Sequence, residues 1–212
     1  MDEIYKLNLI KCIIMKLVEK GFLKRNKKII LISLIIFLVF AVSGMLISHM
    51  MIGDNEGQIT KALLNLPKNE TNQDVGLDIS SLDIFVHNLV ANIIIIVGGL
   101  FFSIISVLIA AFNAVSIASP FGTDLTYSLV AILPHSIFEY TATVIALAAA
   151  FLITKLEIAM IKNRSFKGTL RDSKTELKDI LVLVIVMVIL LAIAAIIEGH
   201  ITPIIVKSFF GL

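Results

Sequence analysis

The chain has 212 residues, of which 58% are hydrophobic and 16% charged, with a formal net charge of +2 and a mean hydropathy of +1.00. This composition excludes an ordinary soluble domain, because a soluble domain needs a polar exterior, and long apolar runs on this scale indicate membrane spans. The single cysteine excludes an internal disulfide and a multi-cysteine metal site. We therefore expect an all-α fold, a polytopic membrane helix bundle.

Residues 1–28 form a basic segment that contains eight Lys and Arg residues. Apolar residues such as Ile4, Leu7 and Ile14 recur between the lysines at near-helical spacing. This pattern predicts an amphipathic helix on an anionic membrane surface, ended by Gly21. A basic tail that only sets the topology is the alternative.

Residues 29–48 carry no charge and predict a first span, about 30 Å long at ~1.5 Å per residue. The composition then changes, because residues 51–83 contain six acidic and only two basic side chains. We predict a loop there with a short helix near 60–66. Basic residues before the span and acidic residues after it predict a cytoplasmic N-terminus and an extracytoplasmic loop 51–83.

Residues 84–123 contain no charged side chain. As one straight helix they would run about 60 Å, twice the thickness of the hydrocarbon core, so the chain must turn within them. We predict the turn between residues 112 and 120, where Asn113 and Pro120 lie. Small or polar residues of the kind that bring helices into close contact precede this turn: Asn88, Asn92, Gly98 and Gly99.

The next apolar run is divided by Pro134, which predicts a span over residues 135–154. Residues 155–178 carry seven Lys and Arg residues and are predicted to form a cytoplasmic basic loop. Residues 180–197 give the last span.

The number of spans decides whether both basic segments lie on one side of the membrane. Four crossings would place them on opposite sides, against the positive-inside tendency. A fifth crossing over residues 114–133 places both in the cytoplasm, although Pro120 and Asp124 make this segment irregular, so it is broken or re-entrant. We predict about five spans in one transmembrane domain, 29–212, and a multi-pass protein of the cell membrane.

Four ionisable residues lie at the ends of two spans and could carry chemistry. His135 and Glu139 share one helix face directly after Pro134, which makes His135 the expected partner of Glu139. Glu198 and His200 precede Pro203 and are two residues apart, so a departure from regular helix at Gly199 and Pro203 would be needed to aim both inward. One interpretation is a metal or proton site, since zinc accepts these ligands and a catalytic zinc needs three of them plus an open position. The other is a buried polar clamp that fixes how two spans meet. The clamp is favoured, because the spacing matches no familiar metalloprotease helix.

Two stretches resemble one known family. Leu-Pro-His-Ser-Ile-Phe-Glu at residues 133–139 and Ile-Glu-Gly-His-Ile-Thr-Pro at residues 197–203, together with Asn88 and Asn113, are similar to the stage II sporulation protein M family. The similarity covers roughly residues 85–203. In spore formers the family member works in a membrane complex that recruits cell-wall hydrolases. The resemblance implies a polytopic membrane protein that acts through partners, with no established enzymatic activity.

These observations lead to one functional expectation and one alternative. We expect a non-enzymatic scaffold or permease-like subunit of a membrane complex, without a cofactor. Its expected partners are the lipid bilayer, anionic lipid at the basic N-terminal segment, and other membrane or envelope proteins, with a homo-oligomer left open. Nucleic-acid binding is not expected, because the basic stretches adjoin spans. The alternative is an intramembrane metal-dependent hydrolase or ion translocator that uses the His/Glu cluster.

Overall fold

The computed structural model describes residues 21–52, 57–65 and 80–211, and within these ranges it contains helices and turns but no strand. The helices are α1 (Phe22–Ile52), α2 (Gln58–Leu64), α3 (Ser81–Val97), α4 (Ile104–Thr123), α5 (Leu133–Asn163), α6 (Phe166–Asp172), α7 (Lys174–Ile196) and α8 (Thr202–Phe210). Shorter turns extend or join them: a 3₁₀ turn at Gly98–Phe101, a single turn at Leu125–Tyr127, and π-helical turns at Ser128–Ile132 and Ile197–Ile201.

Five helical segments are long and apolar enough to cross a membrane. They are Phe22–Met51, Ser81–Phe101, Ile104–Thr123, Leu125–Asn163 and Lys174–Phe210. The all-α membrane bundle and its five spans are therefore confirmed. The amphipathic helix predicted within residues 1–20 and much of the acidic segment lie outside the described residues. In the acidic segment, α2 stands where a short helix was predicted.

The predicted turn between residues 112 and 120 is wrong. The chain turns at Phe102 and Ser103, whose φ angles of 53° and 57° place both in the left-handed region. Asn113 and Pro120 lie inside α4, which continues to Thr123. Small polar residues do not interrupt α4, because they bond to their own helix, as the Ser119 hydroxyl does to the Val115 carbonyl at 2.7 Å.

Two further boundaries differ from the expectation. The predicted crossing over 114–133 does not exist, because α4 ends at Thr123 and a new helical segment begins at Leu125. The five-span count holds because Ile104–Thr123 supplies the third crossing instead. The segment 155–178, predicted as a loop, is largely helical: α5 extends to Asn163, and α6 and the start of α7 follow it.

Helices α1 and α4 pack closely along a stripe of small residues on α4. The stripe recurs every fourth residue and is buried throughout: Ser106, Ala110, Ala114, Ala118 and Gly122. A Cβ added at Gly44 of α1 would lie 2.8 Å from the Val115 Cα, and one added at Gly122 would collide with the Met45 carbonyl oxygen. Small side chains thus allow the two backbones to touch, as is common between membrane helices.

Helices α5 and α7 form the centre of the bundle. Ala146–Ala150 are fully buried on α5, and Leu147 packs with Met187 and Leu191 of α7. The 3₁₀ turn after α3 approaches this segment so closely that a Cβ on Gly99 would lie 2.6 Å from the Ala150 carbonyl oxygen. The glycine pair Gly98–Gly99, expected from sequence to bring helices together, lies at such a contact.

Side-chain hydrogen bonds mark the two ends of the bundle. At one end the guanidinium of Arg25 on α1 binds the carboxylate of Asp179 on α7, with N–O distances of 2.6 and 2.5 Å. At the other end the carboxylate of Asp124 accepts bonds from the backbone N–H and hydroxyl of Thr60, at 2.7 and 2.6 Å, and so docks α2 against the end of α4.

Candidate functional site

The first pair of predicted residues is positioned by a π-helical turn followed by a proline. Ser128–Ile132 form the π turn, and α5 begins directly after it with Pro134 in its first turn. Pro134 lacks an N–H, so it fits the first turn of a helix, where no intrahelical acceptor is needed. His135 and Glu139 follow on one face of α5, and each side chain is buried.

The second pair lies on the other π turn. Glu198 and His200 belong to Ile197–Ile201, and Pro203 stands in the first turn of α8. The predicted departure from regular α-helix at this point is present. Gly199 meets the start of α3 here, because a Cβ at Gly199 would collide with the Ser81 hydroxyl. Because α3 approaches so closely, glycine is the residue that fits here without a shift of Ser81.

Glu139 is bound by an asparagine of another helix. The Asn88 amide on α3 donates a hydrogen bond to the Glu139 carboxylate, and the Asn92 amide donates to the Asn88 carbonyl at 2.8 Å. The sequence predicted His135 as the partner of Glu139, four residues before it on the same face, and this pairing is wrong. Tertiary contact with α3, which helical spacing cannot reveal, supplies the partner.

The two histidines make separate contacts with other elements. His135 Nε2 lies 3.9 Å from a carboxylate oxygen of Glu198, which joins α5 to the second π turn. His200 Nδ1 and the Ser81 hydroxyl lie 3.0 Å apart and share a hydrogen bond, which joins that turn to α3. The cluster therefore connects three spans through pairwise contacts.

The four candidate metal ligands do not converge on one point. Among the residues that the structure describes, no three His, Cys, Asp or Glu side chains are arranged to hold a metal ion. Glu139 faces Asn88, and His200 faces Ser81, so only His135 and Glu198 approach each other. A catalytic zinc needs three protein ligands, a set that this arrangement does not supply.

An open cleft of about 460 Å³ adjoins the cluster. Its lining includes three carboxyl groups, a histidine and the amide that binds Glu139: Asp83, His87, Asn88, Glu139 and Glu198. Glu139 is 8% exposed, and in the described part of the chain the Asn88 amide is its one hydrogen-bond donor. Keeping such a carboxyl group charged costs free energy, because the group is buried and has one hydrogen-bond donor to stabilise the charge.

The remaining predicted packing residues have different environments. Asn92 is 2% exposed, and its side-chain oxygen has no hydrogen-bond partner among the described residues. Asn113 is half-buried on α4. Pro120 lies within the last turn of α4 without ending the helix before Thr123.

The sequence did not reveal another buried carboxylate, Asp179. It is 2% exposed and accepts the two bonds from Arg25 and a third, of 2.7 Å, from the Asn26 amide. Because Asp179 stands in a segment rich in lysine, it was not distinguished from the soluble charges around it. The signal was its position, one residue before a long uncharged run.

Asp124 was noticed only as an irregularity in a span, but it joins two elements outside the membrane-spanning segments. Burial acts to raise the pKa of this carboxyl, while hydrogen bonds from Thr60 and from the Tyr127 backbone act to lower it. The hydrogen bonds prevail, so the pKa of Asp124 lies below its ordinary value.

Comparison with known proteins places these residues in a family. The family model described as stage II sporulation protein M matches residues 33–203, which include both π turns and all four residues of the His/Glu cluster. The chain belongs to this family. An uncharacterized protein of Methanocaldococcus jannaschii is 28% identical over 191 residues, covering 88% of this chain and 87% of the relative. No solved structure matches the chain.

The family match also separates the two buried carboxylates. Glu139 and its donor Asn88 both lie within residues 33–203. Asp179 lies within the match too, but its partners Arg25 and Asn26 precede it. The cluster at Glu139 is thus contained in the family domain, while the contact at Asp179 attaches the start of α1 to it.

Proposed function

We propose that the chain is a non-enzymatic membrane scaffold or permease-like subunit, in which the His/Glu cluster acts as a polar clamp. The observation that carries this proposal is that the polar side chains bind one another between three spans. Asn88 with Glu139, His135 with Glu198, and Ser81 with His200 join α3, α5 and the turn after α7. Polar pairs of this kind fix the packing of membrane helices, where apolar side chains give little preference for one arrangement.

The partners that we propose are other membrane or envelope proteins, the surrounding bilayer, and anionic lipid at the basic N-terminal segment. Much apolar side-chain surface faces outward from the bundle on α1, α3 and α4. Such a surface is suited to lipid and to neighbouring membrane helices. A second copy of the chain would be one such neighbour.

The proposed topology has a cytoplasmic N-terminus and segment 155–178, with residues 51–83 outside. It is supported by the positive-inside tendency, together with the contact of Arg25 with Asp179, since that contact joins the two basic segments at one end of the bundle. In a Cys12→Ser background, an impermeant thiol reagent on intact cells should label Lys68→Cys and spare Lys167→Cys. Equal labelling of both positions would contradict this topology.

A second candidate function is ion or proton translocation, and the cleft beside Glu139 favours it. Glu139 accepts one hydrogen bond in the described chain, and the cleft beside it also contains Asp83, Glu198 and His87. A carboxyl group in such a setting can exchange a proton or a cation. The scaffold needs the shape of the cluster, whereas translocation needs its titratable groups.

The double variant Glu198→Gln/His200→Asn tests the two functions against each other. It keeps polar groups of similar size and removes two titratable groups. The scaffold predicts that the tagged variant is folded and migrates in the same native complex as the wild-type chain. Glu176→Gln is the control at the other end of the bundle, where this half-buried carboxylate is paired with Lys155 at 3.2 Å.

Metal content of the purified native protein completes the test. The scaffold predicts less than about one equivalent of transition metal, because structural zinc binds too tightly to be lost on purification. Stoichiometric zinc together with a folded double variant that no longer forms the complex would overturn the scaffold. Loss of proton or cation flux in vesicles, with the complex intact, would instead establish translocation.

A further inference from the structure

A long apolar groove of about 650 Å³ runs between α1, α5 and α7, on the side of the bundle away from the His/Glu cleft. Its walls include Leu23 and Leu34 from α1, Val144 from α5, and Leu183 and Val186 from α7. The α1 wall from Leu23 to Leu38 extends about 22 Å at ~1.5 Å per residue. That length exceeds one leaflet of a hydrocarbon core about 30 Å thick.

The side chains that line the groove present little hydrogen-bonding capacity to a polar ligand. Only two of its lining residues carry a polar side chain, and both are bonded elsewhere: the Tyr140 hydroxyl to the Ile117 carbonyl at 3.3 Å, and the Thr141 hydroxyl to the Ile137 carbonyl at 2.8 Å. Any molecule that fills the groove must therefore present an apolar surface to it.

The lining also argues against a transmembrane helix as the occupant. Helices that pack closely in membranes meet at Gly, Ala and Ser, which let the backbones approach. None of the described lining residues is of these types, since they are aromatic, branched or otherwise large. The small-residue stripe of α4 is already covered, at Gly122 by α1 and at Ser106 by the end of α3. A narrow flexible chain fits such walls better than a helix does.

A lysine at one end of the groove indicates that the occupant also carries a negative charge. Lys27 lies four residues after Leu23 and three before Ile30, so it continues the helix face that lines the groove. The side chain of Lys27 is exposed. The carboxylate of Asp179 on α7 is bound in two places by the guanidinium of Arg25, which balances its charge.

We propose that the groove binds an anionic phospholipid, with an acyl chain between α1, α5 and α7 and the headgroup phosphate at Lys27. The apolar walls recognise the chain, and the lysine recognises the negative charge at the membrane surface. This site rests on the anionic lipid proposed above as a partner of the basic N-terminal segment, and it does not depend on the scaffold or translocation proposals.

Lipid titration of the delipidated full-length protein tests this site. Phosphatidylglycerol and phosphatidylcholine with identical chains are added in detergent, and binding is followed by native mass spectrometry and thermal unfolding. We expect the anionic lipid to be retained more strongly and to raise the Tm more. Lys27→Gln should weaken its retention about fivefold, the effect of one basic residue near a charged surface. Glycerol phosphate, the headgroup without chains, should not change the Tm.

Two variants separate the headgroup from the acyl chain. Lys28→Gln removes the same charge from the next position, which points away from the groove face, and should leave retention unchanged. Leu34→Trp adds bulk inside the groove and should reduce retention of both lipids. Equal retention of the two lipids by the wild-type chain, or equal effects of Lys27→Gln and Lys28→Gln, would overturn the proposal.

Other occupants give distinct results in the same preparation. If the segment before Gly21 filled the groove, Cys12 would form a disulfide with a cysteine introduced at Leu34 under mild oxidation. If a second copy filled it, Leu34→Trp would convert a dimer to a monomer in the native mass spectrum. Either result would replace the lipid as the occupant.

Discussion

Two carboxylates are buried at opposite ends of the bundle, and they are held very differently. Asp179 accepts three hydrogen bonds, two from a guanidinium and one from an amide. In the described part of the chain Glu139 accepts one, from Asn88, and it borders a cleft that contains Glu198. The comparison separates a carboxylate that is paired with a guanidinium from one that has a neutral amide as its donor and borders a cleft.

The comparison predicts its largest effect at Asp179. Replacement by alanine removes the bidentate acceptor of the Arg25 guanidinium and one of the two acceptors of the Asn26 amide, so the free energy of unfolding should fall by about 3 kcal/mol. Thermal unfolding in detergent measures the loss. Asp172→Ala is the control, because its side chain is 77% exposed and touches only Arg171 in the described chain, at 4.0 Å. Equal losses in the two variants would show that the contacts of Asp179 contribute no more to stability than those of an exposed aspartate.

The next effect concerns the single donor of Glu139. Asn88→Ala removes it and leaves a buried carboxyl unsatisfied, which should lower the free energy of unfolding by about 1–3 kcal/mol. Asn113→Ala is the matched control: this asparagine is half-buried on α4, and its loss should change stability by about 0.5 kcal/mol or less. A larger loss at Asn113 than at Asn88 would contradict the assigned contact.

A smaller effect is expected from Glu139→Gln. The amide oxygen can still accept the hydrogen bond from Asn88, and the insertion penalty of a carboxylate disappears, so the free energy of unfolding should change by less than about 1 kcal/mol. Asp179→Gln, which removes charge from a fully paired site, should be far more damaging. Similar unfolding temperatures for the two variants would abolish the distinction between the sites.

A third carboxylate, Asp124, provides the smallest and most specific test. Its pKa is lower in the folded chain than its ordinary value of 3.8, so its contribution to stability is present above that value and is lost as the pH falls through the lower, folded pKa. An environment-sensitive probe on Ala62→Cys, in a Cys12→Ser background, should report release of α2 only below about pH 4. With Asp124→Asn the probe should report no such transition.

The sequence predicted much of this fold because hydropathy depends on local composition. Uncharged runs together with the positions of the two basic segments indicated five crossings, and the proline before His135 indicated where α5 begins. The turn at Phe102–Ser103 could not be found in this way, because an apolar residue and a serine form it and the glycines before it were interpreted only as packing residues. Pro120 misled the prediction, because a proline near a helix end does not require the end to lie before it.

The candidate site could be predicted in its members but not in its pairing. His135 contacts Glu198, and Glu139 and Glu198 line one cleft, so the ends of the two spans meet, as the positions of these residues suggested. Their actual partners on α3, Asn88 and Ser81, are set by tertiary packing across more than fifty residues of sequence. Arg25 and the buried Asp179 lie in or beside lysine-rich segments, where composition does not distinguish a buried charge from an exposed one.

The close contact between α1 and α4 has a consequence for how the protein is made. Met45 and Gly122 touch through their backbones, yet at a synthesis rate of ~5–20 residues per second Gly122 leaves the ribosome about 4–15 s after Met45. During that delay α1 must remain in lipid without its neighbour. It is suited to this wait, because the hydroxyls of Ser33 and Ser43 bond to carbonyls of their own helix. The first span can therefore be inserted before α4 is synthesised and can pack against α4 afterwards.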